Sequence, residues 1–195
     1  FGSANVDAIP AGNAILFLQK AKRKIRELQY NFDSDGYQAP DLTILNETVT
    51  DTGINEMSYQ QEPGSNIWCV RDDGVLACLT YQRSENVTAW TRHIFGGAFG
   101  TGNAVCESVA SISGVLTEDE VWVIVKRTIN GATKRFVECF SDFDFDETSA
   151  TSFKFLDSHL SYSGGATTTL SGLSHLEGQT VSILGDGATH ANKTV

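Results

Sequence analysis

The side chains whose types and spacing most suggest chemistry lie in the sequence Asn-Phe-Asp-Ser-Asp-Gly at positions 31–36. Asn31, Asp33 and Asp35 alternate in the way that the first oxygen ligands of a calcium loop alternate. Gly36 stands where such a loop needs a residue that permits a sharp turn. The pattern therefore names Asn31, Asp33 and Asp35 as a candidate calcium site.

The rest of this stretch departs from the calcium pattern. The twelfth position is Leu42, where calcium loops place a bidentate glutamate, so the neighbouring Asp41 would have to substitute for it. The favoured interpretation is a turn that follows a strand. In that interpretation Asp41 caps a short helix at residues 42–45.

A second acidic stretch, Asp-Phe-Asp-Phe-Asp-Glu at positions 142–147, alternates three carboxylates in the same way. Glu147 occupies the position that requires glycine, and Phe153 occupies the position of the bidentate glutamate. We interpret this stretch as a solvated linker between sheets.

The four cysteines do not have the spacing of a zinc site, since no CxxC pair is present and no turn pairs a histidine with a cysteine. If Asp73-Gly74 formed a two-residue loop, Cys69 and Cys78 would face each other across a hairpin, where a disulfide is conceivable. We favour buried thiols for all four, because cysteine is among the most buried residue types.

No nucleophile, metal or nucleotide motif of the common enzyme classes is present. A pair of acids for glycoside hydrolysis stays open, since 24 Asp and Glu residues will place two carboxylates close together in almost any fold. Trp68, Trp90 and Trp122 could stack on sugars, and core positions are the favoured interpretation. We therefore expect no catalytic residue and no enzymatic activity.

The elements that would position these residues are β-hairpins. In the sequence from Glu120 to Cys139, two runs of β-branched and aromatic residues flank Asn130-Gly131, the dipeptide that most favours a type I′ turn. A two-residue loop there places Ile129 opposite Ala132 and Trp122 opposite Cys139. The first strand is apolar on both faces, which predicts cover from both sides.

The same pattern recurs along the chain and predicts the architecture. Asp73-Gly74 lies 57 residues before Asn130-Gly131 and is flanked by similar strands, with entering strands at 56–60 and 107–112 and an outer strand at 88–92. A third, weaker hairpin flanks the basic link at positions 19–24. Small four-stranded sheets that repeat about every 40–50 residues are typical of propeller blades. We predict an all-β chain with a partial antiparallel β-propeller at residues 1–157, about two whole blades and part of a third.

After this region the composition becomes small and polar, and a strand at 180–184 precedes a Gly-Asp-Gly-Ala turn at 185–188. Residues 158–195 are predicted to begin a small C-terminal β-domain. The chain starts at Phe1 and ends in a strand-like segment, so we expect it to be an inner portion of a longer protein.

Composition restricts the function. A formal net charge of −10 and a sequence pI near 4.7 argue against a general nucleic-acid binder. The basic cluster in the first hairpin is interpreted as its solvated end, and its members are Lys20, Lys22, Arg23, Lys24 and Arg26. No apolar run of membrane-spanning length and no signal-peptide pattern is present, so we expect neither a membrane segment nor self-directed export.

Several segments resemble tail proteins of tailed phages and prophages, of the nozzle or stabilisation type. The resemblance covers nearly the whole chain and rests on segments such as MSYQQEPGSNIWCVRDDGVLACLTYQR, KRTINGATKRFVE and GLSHLEGQTVSILGDGATH. It implies a β-propeller followed by small β-domains, and copies that assemble as a ring below the portal and adaptor to extend the DNA channel.

The expected function is therefore that of a structural part of the virion tail, made in the cytoplasm of the bacterial host. It would form a homo-oligomeric ring through which DNA passes without sequence-specific contact, and it would need no cofactor, with Ca²⁺ as the one ion to consider. The alternative is a tail-associated carbohydrate-binding module that contacts host surface glycans.

Overall fold

The fold is known from a computed structural model, which describes residues 2–114, 118–141, 156 and 158–195. Strands dominate the described residues, and their helical segments are three short 3₁₀ helices, at Glu47–Val49, Arg83–Glu85 and Ser174–Leu176. None of these helical segments has the length and apolarity needed to cross a bilayer. The chain is all-β with several antiparallel sheets, as predicted.

The first sheet contains four antiparallel strands in sequential order: β1 (Ile9–Ala11), β2 (Ala14–Leu18), β3 (Ile25–Asn31) and β4 (Gly36–Gln38). The basic cluster lies in and next to the β2–β3 turn, as predicted for the end of a hairpin. Lys24 in that turn donates to Asp41 at 2.9 Å and to Glu47 at 3.0 Å, so part of the cluster is neutralised within the chain.

The second sheet repeats this arrangement with β5 (Ile54–Gln60), β6 (Asn66–Arg71), β7 (Leu76–Gln82) and β8 (Val87–His93). The predicted entering strand and outer strand are therefore confirmed as β5 and β8. The glycine-rich stretch that follows contains a very short hairpin, β9 (Ala98–Phe99) and β10 (Gly102–Asn103).

The third sheet has three strands among the described residues, in the order β11 (Val105–Ser113), β12 (Asp119–Ile129) and β13 (Ala132–Cys139). The predicted register of the last two strands is confirmed, because Ile129 pairs with Ala132 and Trp122 with Cys139. Asn130 and Gly131 both have positive φ, at 51° and 74°, which is the backbone that a type I′ turn requires.

The three sheets are joined by two apolar cores. The first core lies between the first and second sheets and includes Leu16, Leu18 and Leu79. The second lies between the second and third sheets and includes Trp68, Val121 and Val123. Each sheet therefore packs a face against its neighbour along the chain, which at about 25 cal/mol per Å² of apolar surface is the main stabilising contribution of the fold.

We predicted that β12 is covered on both faces, but only one face is fully buried. Val121, Val123 and Val125 are buried, whereas Trp122 and Ile124 on the opposite face are half-buried. One face of the strand packs on the second sheet, and within the described residues the other face is only partly covered.

The predicted register of the second hairpin is also wrong. Cys69 pairs with Ala77, and Cys78 pairs with Trp68. The reason is a three-residue loop: Arg71 N–H donates to the Val75 carbonyl at 3.1 Å, and Gly74 adopts φ 81°. This one-residue shift places Cys69 in the first core and Cys78 in the second, on opposite faces of the sheet, so a disulfide between them is excluded.

The acidic stretch at 142–147, interpreted as a linker, lies outside the described residues, as does Phe153. The C-terminal hairpin is formed by β14 (Thr180–Gly185) and β15 (Ala188–Thr194), with the predicted turn between them. Residues 175–176, which precede this hairpin, pack on the third sheet. Leu176 is buried, and the ring of His175 lies edge-on to Phe136.

Candidate functional site

The candidate calcium residues lie in the turn between β3 and β4. Asn31 Oδ1 accepts hydrogen bonds from the backbone N–H groups of Asp33 at 2.9 Å and Ser34 at 3.2 Å. Asp35 accepts a hydrogen bond from the Tyr30 hydroxyl. The side-chain oxygens of Asn31 and Asp35 therefore accept hydrogen bonds within the turn. This agrees with the favoured interpretation of the sequence as a turn that follows a strand. Calcium binding stays a prediction.

Asp41, the carboxylate that would complete a calcium loop, is engaged elsewhere. Its Oδ1 accepts from the Thr43 N–H at 2.9 Å, and its Oδ2 accepts from Lys24. Hydrogen bonds from Thr43 and Lys24 outweigh burial and lower the pKa of Asp41. The predicted helix at 42–45 is wrong: Asp41 caps a turn there, and the nearest helical residues are Glu47–Val49. No cluster of three or more potential metal-ligating His, Cys, Asp or Glu residues occurs in the described residues.

The same β3–β4 turn carries a feature that the sequence analysis missed, a group of exposed aromatic rings. Phe32 is 88% exposed and Tyr37 is 74% exposed, and both rings lie edge-on to Tyr30 at centroid distances of 5.0 and 5.4 Å. The signal available in the sequence was the placement of aromatic residues on both sides of a turn. We call Tyr30, Phe32 and Tyr37 the aromatic hairpin.

The first sheet also leaves one face open below the aromatic hairpin. The side chains of Pro10, Ile15, Phe17 and Leu28 alternate with the buried residues of their strands, and Ile15 pairs with both Pro10 and Leu28. These four side chains are apolar, and Arg26, which pairs with Phe17, lies on the same face. We call it the first open face.

The third sheet carries a second open face, and the chain contains a buried counterpart for comparison. Trp122 pairs with Cys139 on the open face, in the same way that Trp68 pairs with Cys78 on the face of the second sheet that packs on the third. Trp68 is 7% exposed, whereas Trp122 is half-buried and Cys139 is exposed. Val137 beside them is 69% exposed. We call this surface the Trp122 face.

All four cysteines lie in the described part of the chain, and none is in a disulfide. Cys69, Cys78 and Cys106 are buried as predicted, and burial raises the pKa of Cys78 and of Cys106 to about 12. These thiols therefore remain protonated at neutral pH and unreactive. Cys139 contradicts the prediction of four buried thiols: it is exposed on β13, which among the described residues is the outer strand of its sheet.

A buried charge was also missed. The Arg127 side chain is 0% exposed, and its guanidinium pairs with Glu138 and donates to the Gly96 carbonyl at 2.7 Å. The sequence did carry a signal, since Arg127 continues the alternation of Val123 and Val125 along the buried face. Its place inside the fold ties the third sheet to the glycine-rich stretch.

A cavity of about 370 Å³ lies beside this ion pair and is lined by residues of β13 and of the segment that precedes β14. In its wall, Ser158 Oγ and His175 Nε2 are 2.9 Å apart, the contact of a nucleophile and its base. Burial and the nearby Arg127 lower the pKa of His175. Among the described residues, no carboxylate bonds to the other nitrogen of His175, so the pair lacks the group that orients a catalytic base.

An open cleft of about 660 Å³ lies at the loops of the first two sheets. Tyr59, Tyr81, Ser65 and Arg83 line it. Behind Tyr81 the buried carboxylate of Glu27 pairs with Arg83 at 3.0 Å, and burial, then this carboxylate, raises the pKa of the Tyr81 phenol. Tyr81 is buried in the first core and Tyr59 is half-buried, so the cleft presents chiefly polar groups, among them the Arg83 guanidinium.

Comparison with known proteins does not assign this arrangement to a family. No protein-family model matches the chain. A search of curated proteins gives no significant match.

Proposed function

We propose that this chain forms consecutive blades of a β-propeller in a structural tail protein of a tailed phage or prophage. The observation that carries the proposal is the stack of three antiparallel sheets, each with its strands in sequential order and its face against the next sheet. Sequential four-stranded sheets that pack face to face are the construction principle of propellers. The role in a tail rests on the resemblance of the sequence segments.

The contacts between first strands support a radial arrangement. β5 contacts both β1 and β11, the first strands of the neighbouring sheets. Ser108 Oγ donates to Glu56 Oε1 at 3.0 Å, and the Ser111 N–H donates to Ser58 Oγ at 2.8 Å. In a propeller the first strands of successive blades are neighbours, so these contacts between β1, β5 and β11 support the proposal.

The open faces support further blades on either side. The Trp122 face repeats the pairing that is buried at Trp68, so a further sheet on Trp122 would bury it in the same way. The first open face exposes Pro10 and Ile15, and apolar side chains clustered on a surface favour a packing partner. Both faces fit a chain that lies between other sheets.

In the assembled tail, copies of the protein form a ring with the portal and adaptor proteins, and DNA passes through without sequence-specific contact. The net charge of −10 supports this passage, because a negative bore repels DNA and keeps it from adhering. The protein is located in the virion after synthesis in the host cytoplasm.

The proposal is tested by peptide mass spectrometry on purified particles of the phage or induced prophage that encodes this chain. Trypsin cleaves after Arg127 and after Lys134, so it releases residues 128–134 as one peptide. We expect this peptide at a fixed ratio to portal peptides, within the range of a ring component.

The matched control is the same digestion of lysate from which particles have been removed. A peptide that is abundant in the lysate and missing from particles would contradict a structural role in the tail.

A carbohydrate-binding module is the second candidate function, and the cleft of Tyr59, Tyr81 and Arg83 is the observation that favours it. The half-buried Tyr59 ring and the Arg83 guanidinium offer a small apolar face and a hydrogen-bond donor to a sugar. A glycan array with the whole chain separates the two functions, because a purely structural part binds no glycan on the array.

A further inference from the structure

The aromatic hairpin projects from the body of the first sheet. β3 pairs with β2 only from Ile25 to Leu28, and its remaining residues, 29–31, pair with β4 alone. The hairpin therefore extends past the end of β2, and its rings reach beyond the first open face. A surface placed in this way is accessible to a ligand whatever covers the sheets below it.

Stabilisation of the hairpin explains the positions of Tyr30 and Tyr37 but not that of Phe32. Tyr30 and Tyr37 are directly opposite each other on β3 and β4, where a cross-strand aromatic pair stabilises a hairpin. Phe32 lies in the turn, has no cross-strand partner position, and exposes 88% of its surface. A polar residue would serve such a turn better, so the position of Phe32 points to a role outside folding.

The three rings form a cluster in which the ring planes have different orientations. The Phe32 plane is at 88° to that of Tyr30, and the Tyr37 plane is at 73° to it. Rings arranged in this way present π faces in different directions, whereas a sugar stacks on one flat face. The π faces that these contacts leave open can each attract a compact, roughly spherical cation.

The polar groups next to the rings are carboxylates. Asp35 accepts from the Tyr30 hydroxyl, and Asp33 is exposed beside Phe32 in the turn. Of the two neutral polar side chains in this turn, Asn31 and Ser34, Asn31 is already used by the backbone. The charge next to the rings is therefore negative, which favours a cation over a neutral or anionic ligand.

We propose that the aromatic hairpin binds a quaternary ammonium group. The negative faces of Tyr30, Phe32 and Tyr37 attract the methylated cation, and Asp33 and Asp35 add Coulomb attraction. The proposal does not depend on the role in the tail, since it rests on the contacts of this hairpin alone.

The test is a titration of the whole chain, followed by NMR, with choline and with 3,3-dimethylbutan-1-ol, the uncharged analogue of the same shape. Choline is expected to bind at least about tenfold more tightly, because the analogue loses the cation–π and Coulomb attraction. The signals that shift should be those of residues 30–37. Phosphocholine and a trimethyl-lysine peptide are titrated next to identify the source of the group. Tighter binding of either one than of free choline supports the site and names that source.

Two variants make the test specific. Phe32→Leu keeps an apolar side chain in the exposed turn and removes the π face, so it should weaken choline binding several-fold while the fold is retained. Tyr162→Ala removes another exposed aromatic ring outside the hairpin and should leave choline binding unchanged.

Equal affinity for choline and its neutral analogue would overturn the proposal, as would unchanged choline binding in Phe32→Leu. Neutral glycans that bind to wild type and not to Phe32→Leu would also overturn it, in favour of a sugar site on these rings.

Discussion

Replacement of Trp68 by alanine is expected to lower the free energy of unfolding of the isolated chain by about 3–5 kcal/mol. Trp68 is buried in the second core, and its indole N–H donates to Gln60 Oε1 at 3.0 Å. The substitution leaves a cavity between the second and third sheets and removes one of the hydrogen bonds of the buried Gln60 amide. Urea denaturation followed by circular dichroism measures the loss.

Trp122→Ala is the matched control, because Trp122 occupies the corresponding place on the third sheet, opposite Cys139. Its indole N–H bonds to the exposed Glu120 at 2.9 Å, and its ring is half-buried. We expect a loss of about 1 kcal/mol in the isolated chain, since little apolar surface returns to water. Equal losses for the two tryptophans would contradict the description of the Trp122 face as open.

Removal of the Glu138 carboxylate is expected to destabilise the chain by about 3 kcal/mol, near the lower end of the range for broken buried ion pairs. Glu138→Ala leaves the guanidinium of the fully buried Arg127 without its counter-charge, and Glu138 itself retains some access to water. The double substitution Arg127→Leu, Glu138→Leu should recover much of the loss, because it removes both charges. Thermal and urea unfolding of the three variants measure these differences.

Glu107→Ala is the control for this prediction, since Glu107 pairs with the exposed Arg135 and with Lys126 on the open side of the same sheet. Its effect should be smaller, because Arg135 is exposed and Lys126 retains access to water, so neither cation is left unpaired in the interior. The hydrogen bonds from Arg135 and then Lys126 lower the pKa of Glu107 from 4.5 to about 2. The contribution is therefore complete above pH 4.5 and disappears as the pH falls towards 2. A loss in Glu138→Ala no larger than that in Glu107→Ala would contradict the assignment of a buried pair.

The sequence predicted the parts of the fold that depend on local turn chemistry. The Asn130-Gly131 dipeptide determined a two-residue turn and hence every pair between β12 and β13. The Asp73-Gly74 dipeptide is similar in sequence, but it lies in a three-residue loop instead of a two-residue one. Asp73 accepts hydrogen bonds from the Arg71 guanidinium at 3.0 Å and the Val75 N–H at 3.2 Å, and these bonds accompany the longer loop.

The sequence could not show which apolar residues have a partner. Trp68 and Trp122 have the same pattern of neighbours, and only the packing of the third sheet on the second distinguishes them. Nor could it show that Tyr30 and Tyr37 meet across a turn together with Phe32, because that contact depends on where β3 leaves β2. Candidate functional surfaces in this chain are thus properties of sheet ends and sheet faces.

The most direct test of the account is the reactivity of Cys139 in assembled particles. Its thiol lies on the Trp122 face, while Cys69, Cys78 and Cys106 are buried within the chain. Particles and isolated chain are treated with iodoacetamide and then digested, and the peptide of residues 136–154 is quantified. We expect rapid modification in the isolated chain and strong protection in particles, where the proposed further sheet would cover the Trp122 face. Equal modification of Cys139 in particles and in the isolated chain would contradict it.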